Sequence, residues 1–174
     1  GGTLAMGNGA VIWNAGTSFP GSKATGDRYW RTDLGQEFYW DGTRWLTTQI
    51  FEHHIGNWVG VTLSNTQVDT AALFEGDFDC YVLKLYATMY TVTTLSGSAY
   101  WTLNVNFYAG GTAGSVIASV TNQSGTADVY ARKASTVNAL MGTATTGIST
   151  AAVKTSTPGA LYAGAMLTYR IVGT

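Results

Sequence analysis

From residue 80 onward, large apolar and polar side chains alternate along the chain at a period of two. The clearest run is Tyr100–Ala109, where Trp101, Leu103, Val105 and Phe107 alternate with Thr102, Asn104, Asn106 and Tyr108. Successive side chains on a strand point to opposite faces, so this run predicts a strand buried on one face, with Asn104 and Asn106 outward. Cys80–Thr94 predicts a strand with Tyr81, Leu83, Leu85, Ala87 and Met89 on one face. Tyr162–Val172 predicts another, with Ala163, Ala165, Leu167, Tyr169 and Ile171 together. Shorter strands are expected at Trp58–Ser64, Ser115–Thr121, Asp128–Arg132, Thr136–Met141 and Ile148–Lys154. Turns at Ser96-Gly97-Ser98, Gly110-Gly111-Thr112, Gln123-Ser124-Gly125 and Thr157-Pro158-Gly159 separate these runs. No segment predicts a helix longer than a turn or two. About eight strands in about 120 residues suit two packed sheets. Strands of about ten residues, roughly 34 Å long at about 3.4 Å per residue, favour a jelly-roll-like sandwich over a shorter-stranded immunoglobulin type. The expected class is all-β, with a jelly-roll-like two-sheet β-sandwich over residues 51–174.

The first fifty residues have a different texture. Residues 1–20 mix Gly, Ala and Asn with few large side chains and read as an extended N-terminal arm or linker, with a short strand at Ala10–Trp13. Gly-rich backbone is costly to order, so residues 1–16 are expected to pack on a neighbour rather than on their own subunit. Residues 21–50 read as a small three-stranded meander: Arg28–Thr32, Gln36–Trp40 and Thr43–Thr47. Its turns are Asp33-Leu34-Gly35 and Asp41-Gly42, the latter a type I′ hairpin signal. Three of the chain's six Trp lie in this meander. A sheet this small needs large rings, since Trp and Tyr each bury about 150–250 Å². Phe51-Glu52-His53-His54-Ile55 reads as the junction to the sandwich.

Phe19-Pro20, Thr25-Gly26-Asp27, Tyr29-Trp30-Arg31-Thr32-Asp33, Phe38-Tyr39-Trp40 and Asp41-Gly42-Thr43-Arg44-Trp45 form a pattern over residues 17–47. It resembles a short β-meander module of tailed-bacteriophage structural proteins, found in tail fibres, collar or baseplate appendages and some head-surface proteins. Ser22-Lys23-Ala24 lack the second Pro that the module often carries. The resemblance implies a virion structural role and a virion location, and it brings no catalytic residues with it.

Composition narrows the classes further. Charged residues make up 11% of the chain and the formal net charge is −1, against about 25% charged residues in an average soluble protein. Nucleic-acid binding needs clustered Lys and Arg, and the nine basic residues are scattered. No apolar run approaches the roughly 18–20 residues of a membrane span. In place of charge the chain has 22 Gly, 27 Thr and 10 Tyr, which suits strands and turns. Such a surface fits a protein largely covered by neighbours or working outside the cell. Gly1-Gly2 is not a translational start, so the chain is expected to be processed or part of a longer product.

Candidate chemistry is thin. His53 and His54 are adjacent, so on a strand they face opposite ways and cannot easily chelate one ion; a polar junction is the preferred reading. Glu75, Asp77 and Asp79 alternate and can share a face, but Ca²⁺ takes about 6–8 oxygens, and Asp128 is the only carboxylate residue after Asp79. A charged loop is the simpler reading. Cys80 has no neighbouring cation to activate it and reads as a buried thiol. Gly7-Asn8-Gly9 begins like a dinucleotide turn, but Ile12 stands at the third Gly position. Asn122-Gln123-Ser124 matches a glycosylation acceptor by chance. No catalytic residue, cofactor or metal is expected. The candidate interaction surface is Trp13, Tyr29, Trp30, Tyr39, Trp40, Trp45, Trp58, Asn104 and Asn106. On each strand one aromatic face must be core, and the other is expected to dock on the sandwich or a neighbour rather than stay open for sugar.

Two function classes remain. One is a non-enzymatic bacteriophage virion structural protein: a fibre, appendage or capsid-surface decoration serving assembly, stabilisation or host attachment. Its partners would be other virion proteins and itself, as a homo-oligomer, with three copies on the strength of the resemblance and a host-surface glycan as a further candidate. The alternative is a secreted carbohydrate-binding β-sandwich module, which explains only the aromatics. The all-β expectation predicts a far-UV circular dichroism spectrum with a single strand minimum; a helical double minimum would contradict it.

Overall fold

The computed structural model describes residues 14–61, 67–71, 79–109, 112–123, 127–141 and 147–174. Among these residues there are twelve strands and no helix. The chain forms two compact units, Gly1–Gln49 with Ile171–Thr174, and Ile50–Arg170. The last four residues therefore belong with the small unit, whereas the sequence pattern groups them with the sandwich.

The small unit holds β1 (Ala15–Gly16), β2 (Arg28–Arg31), β3 (Gln36–Trp40) and β4 (Trp45–Thr47). β2, β3 and β4 form the expected antiparallel meander, with Tyr29 opposite Phe38 and Trp40 opposite Trp45. The Asp41-Gly42 turn differs from expectation. Gly42 has φ 103°, but Asp41 is not among the residues with positive φ, so a type I′ turn is not formed. Instead the Asp41 carboxylate accepts from the backbone N–H groups of Thr43 (2.7 Å) and Arg44 (2.8 Å), and Asp41 N donates to Arg44 O at 3.0 Å. A short polar side chain bonding its own backbone competes with the two-residue turn. The loop lengthens and β4 starts two residues late.

Phe19 overturns part of the arm expectation. Its ring stacks on Trp45 (centroids 4.9 Å, interplanar 9°) and meets Phe38 edge-on (5.1 Å, 81°). Tyr29, Phe38 and Trp45 are buried around it, with Trp40 packed against them. Just before it, β1 pairs in parallel with β2, and the N–H groups of Trp30 and Thr32 donate to Asn14 O (2.9 Å) and Gly16 O (3.0 Å). Residues 14–20 thus pack on their own subunit. A three-stranded meander has too little apolar area alone, and Phe19 covers the open face of its aromatics. The short strand expected at Ala10–Trp13 lies outside the described residues. The unit closes with Val172 opposite Leu46 and Gly173 opposite Trp45.

The large unit holds β5 (Phe51–Val61), β6 (Gln67–Ala71), β7 (Cys80–Thr91), β8 (Tyr100–Ala109), β9 (Thr112–Thr121), β10 (Ala131–Met141), β11 (Gly147–Thr155) and β12 (Leu161–Gly173), whose last three residues belong to the small unit. They pair as β5-β12-β7-β10 in one sheet and β6-β11-β8-β9 in the other. Numbered one to eight in chain order, that is 1-8-3-6 and 2-7-4-5, the double Greek key of a jelly roll. The expected sandwich is therefore present. Its core is one cluster that includes Ile55, Leu85, Met89, Trp101, Leu103, Val105, Ile148, Leu161 and Leu167. Hydrogen bonds between described residues cross the interior. Trp101 Nε1 donates to Gly159 O at 3.0 Å, and Thr150 Oγ1 donates to Ile55 O at 3.1 Å. Each gives a buried polar group its partner, which a core without water requires.

Several elements differ from the sequence pattern for identifiable reasons. The junction Phe51–Ile55 is the start of β5, and Ile55 sits at a register shift against β12, its side chain buried. Asp128–Arg132 and Thr136–Met141 are not two strands: residues 131–141 form β10, interrupted by a bulge at Thr136/Ala139 with Asn138 at φ 48°. The same bulge faces Val82 and Lys84, and there the buried face of β7 changes phase. Cys80 and Val82 point inward, then Leu85, Ala87 and Met89, while Tyr81 and Leu83 are only half-buried. An extra residue in one strand of a pair bends and twists it, which resets the alternation. β6 was not expected, because Gln67-Val68-Asp69-Thr70-Ala71 has one large apolar side chain; pairing with β11 makes it a strand.

Gly173 and Gly164, both in β12, make contrasting tests. A Cβ on Gly173 would run into the rings of Phe19 and Phe38, whereas one on Gly164 would meet nothing. Gly173→Ala is expected to destabilise the protein by about 1–3 kcal/mol through overpacking. Gly164→Ala is expected to be neutral or to stabilise slightly, by up to about 1 kcal/mol. Equilibrium denaturant unfolding of both variants checks this.

Candidate interaction surface

The meander shows one aromatic face inward and one outward, as strand geometry demands. In β2 the side chains alternate exposed and buried from Arg28 to Arg31. Trp30 is outward and 41% exposed. Beside it on the neighbouring strand are Glu37, directly opposite Trp30, and Tyr39, opposite Arg28. Arg28 and Glu37 form an ion pair at 3.6 Å, of the exposed kind that contributes about 0–1 kcal/mol. The outward face is thus a flat indole flanked by a cross-strand charge pair and a half-buried phenol, a surface able to stack on another flat group.

The inward residues are held electrostatically as well as by packing. The Arg31 guanidinium lies over the Phe19 ring (4.6 Å), donates to both oxygens of Asp33 (2.9 and 2.8 Å) and donates to Thr174 O at 2.9 Å. Hydrogen bonding to Arg31 holds the Asp33 carboxyl below its ordinary pKa, and the same bond raises that of Arg31. Lys23 places its ammonium 3.9 Å from the centre of the Trp40 ring, a cation–π contact.

The predicted surface residues fall into four groups. Trp30 is exposed. Tyr39, Trp40 and Asn104 are half-buried. Tyr29 and Trp45 are buried in the aromatic core of their own unit. Asn106 is also buried, contrary to the outward face expected of it. Register shifts lie on both sides of Asn106 in the β8–β9 pairing, and they break the strict alternation that placed it with Asn104. Trp13 and the side chain of Trp58 lie outside the described residues; the Trp58 backbone sits in β5, opposite Ala163.

The candidate chemical groups have structural places. His53 and His54 stand opposite Leu167 and Met166 on successive positions of β5, one half-buried and one exposed. Among the described residues no three His, Cys, Asp or Glu side chains gather as a metal site would require. Glu75 and Asp77 lie outside the described residues. Asn122 is buried, and its Oδ1 accepts from Trp101 N at 3.1 Å, so its side chain closes the end of the β8–β9 pair and is not open for modification. A shallow hollow of about 290 Å³ in the large unit is lined by residues including His54, Tyr86, Arg132, Lys133 and Gly164. The most exposed large aromatic of the described residues is Tyr130, which the sequence pattern placed in the expected strand Asp128–Arg132 without a role and which the structure puts just before β10.

Cys80 is fully buried at the start of β7, opposite Met141. Burial, followed by the nearby Asp79 charge, pushes its thiol up to about 12. The thiolate is the reactive form, so native protein at pH 8 is expected to resist a thiol reagent that reacts fully after unfolding; prompt native labelling would contradict the burial. A second expectation follows from Asp33. Its pKa is depressed in the folded state, so its contribution is full above the ordinary carboxylate value and is lost as pH falls through the lowered one. Asp33→Asn should flatten that acid limb in a melting-temperature profile against pH.

No family model matches the chain, and no curated protein matches it. Solved structures overlap it weakly. A Tobacco streak virus coat protein matches with a TM-score of 0.38 and 8% identity, over 72% of this chain and 88% of that one. The infectious bursal disease virus VP2 subviral particle matches at 0.37 and 14% identity, over 90% of this chain and 41% of that one. The structure of infectious bursal disease virus Gx strain matches at 0.35 and 12% identity, over 78% and 36%. The chain therefore spans well under half the length of the bursal disease virus chains. The jelly-roll assignment rests on the strand order given above.

Proposed function

We propose that this chain is a non-enzymatic structural protein of a bacteriophage virion, a fibre, appendage or capsid-surface decoration that serves assembly, stabilisation or host attachment. The observation that carries the reading is the aromatic meander of residues 17–47, with its resemblance to a phage structural module, joined in one chain to an eight-stranded jelly roll. Jelly rolls serve viral capsids and lectin domains alike, and a fold alone assigns no function; the meander tips the choice. The sparse charge also supports it. From residue 81 to the end the charged side chains are Lys84, Asp128, Arg132, Lys133, Lys154 and Arg170, so little repulsion keeps copies apart.

On this reading the protein self-associates, with three copies as the expected number, and one strand face with its loops can supply the roughly 1,200–2,000 Å² of a stable interface. The tested face is the outward side of β8, where Asn104 stands opposite Ser119 of β9 and Ala151 of β11. Light scattering of the purified protein is expected to give a trimer mass. Asn104→Arg would bury an unpaired charge and is expected to weaken association at least a hundredfold, about 3 kcal/mol. A stable monomer at micromolar concentration would overturn the reading and favour a secreted carbohydrate-binding module.

A further inference from the structure

Three tyrosines of the large unit meet although they come from distant parts of the chain. Tyr90 lies near the end of β7, Tyr130 just before β10, and Tyr162 near the start of β12. The Tyr90 ring is 5.0 Å from Tyr130 (interplanar 35°) and 5.6 Å from Tyr162 (72°). Tyr130 is 71% exposed and Tyr162 37%. Tyr90 Oη donates to Asp128 Oδ1 at 2.6 Å. Asp128 has φ 59°, a left-handed conformation that Asp and Asn adopt more readily than most residues, and its N–H donates to Thr91 O at 2.9 Å. An aromatic cluster and a carboxylate bonded to it are thus built into one place.

We propose that this cluster is a saccharide-binding site, in which a pyranose lies on the open face of Tyr130 and its hydroxyls donate to Asp128. The ligand class follows from the geometry. A carboxylate only accepts, at about four lone-pair positions, and Tyr90 uses one of them; neighbouring hydroxyls of a sugar are donors suited to the rest. The carbon-bound hydrogens of a pyranose face suit the electron-rich face of a phenol ring. A quaternary ammonium ion, the other ligand of aromatic clusters, needs a gap between rings. Here Tyr90 packs against both Tyr130 and Tyr162, and Tyr130 is the most exposed ring of the three. The bond to Asp128 also raises the Tyr90 pKa, which keeps the phenol protonated as its donor. The site is independent of the virion reading and shares no residue with the β8 face tested there.

The experiment is nuclear magnetic resonance of the full chain with ring-labelled tyrosine, titrated with methyl glucoside, methyl galactoside, methyl mannoside and N-acetylglucosamine. At least one is expected to shift the Tyr130 and Tyr162 signals saturably. Tyr130→Ala, at an exposed position, is expected to weaken that binding at least tenfold with the melting temperature held. Asp128→Asn, which tolerates the same backbone conformation, is expected to do the same. Absence of a saturable shift with all four sugars would overturn the proposal. So would undiminished binding by Tyr130→Ala, or Tyr130 signals that move only with protein concentration, which would mark the cluster as a contact between copies. The oligomeric mass is read separately, so failure here leaves the virion reading standing.

Discussion

Strand β12 hydrogen-bonds to β5 on one side and to β7 on the other, and its last residues pair with β4. One segment at the end of the chain therefore completes a central position of one sandwich sheet and also closes the meander. Its partner β5 is about a hundred residues earlier, and ordering so long a loop is unfavourable until the pairing forms. The inward residues Leu161, Ala163, Ala165 and Leu167 reach across to the core that holds Trp101 and Ile148. Two small alanines stand here between two leucines, and all four are buried in the same core.

Several polar groups of the interior are hydrogen-bonded within the protein. Trp101 is fully buried, yet its indole N–H reaches Gly159 O, and its backbone exchanges bonds with Asn122. Thr93 Oγ1 donates to Pro158 O at 2.7 Å, and Thr91 Oγ1 donates to Thr93 O at 3.0 Å. Threonine is frequent in this chain, and these residues show one reason. A hydroxyl on a β-branched stem suits a strand and also satisfies a neighbouring carbonyl, with no charge to bury.

The small unit reaches stability by another route. Its rings stack and meet edge-on around Phe19, and Arg31 binds the cluster to Asp33 and to the last residue at once. Aromatic rings supply large apolar area per residue, so a sheet of three short strands can hold together. The outward side of the same strands is left with Trp30 and an ion pair. On a strand, burial of Tyr29 and exposure of Trp30 are two consequences of one geometry.

Period-two alternation is a local property, and it located β8 and β12 and the inward residues Trp101, Leu103, Val105, Ala163, Ala165 and Leu167. The meander and the two-sheet class were legible as well. For Tyr29 and Trp30 strand geometry required that one be core without saying which. The tertiary structure decided the rest. Bulges in β5, β9 and β10 depend on partners far away in the chain, and they turned Asn106 inward, reset the face of β7 and put Ile55 in the core. β6 exists because β11 lies beside it, and Phe19 left the presumed arm because the meander needed a cover. Tyr90, Tyr130 and Tyr162 show the limit most clearly. Each sits in a segment with no pattern that singles it out, and only the strand order β12-β7-β10 brings the three together. Local sequence sets which side chains can face inward; register and strand order set which of them meet, because those are fixed by hydrogen bonds between residues far apart in the chain.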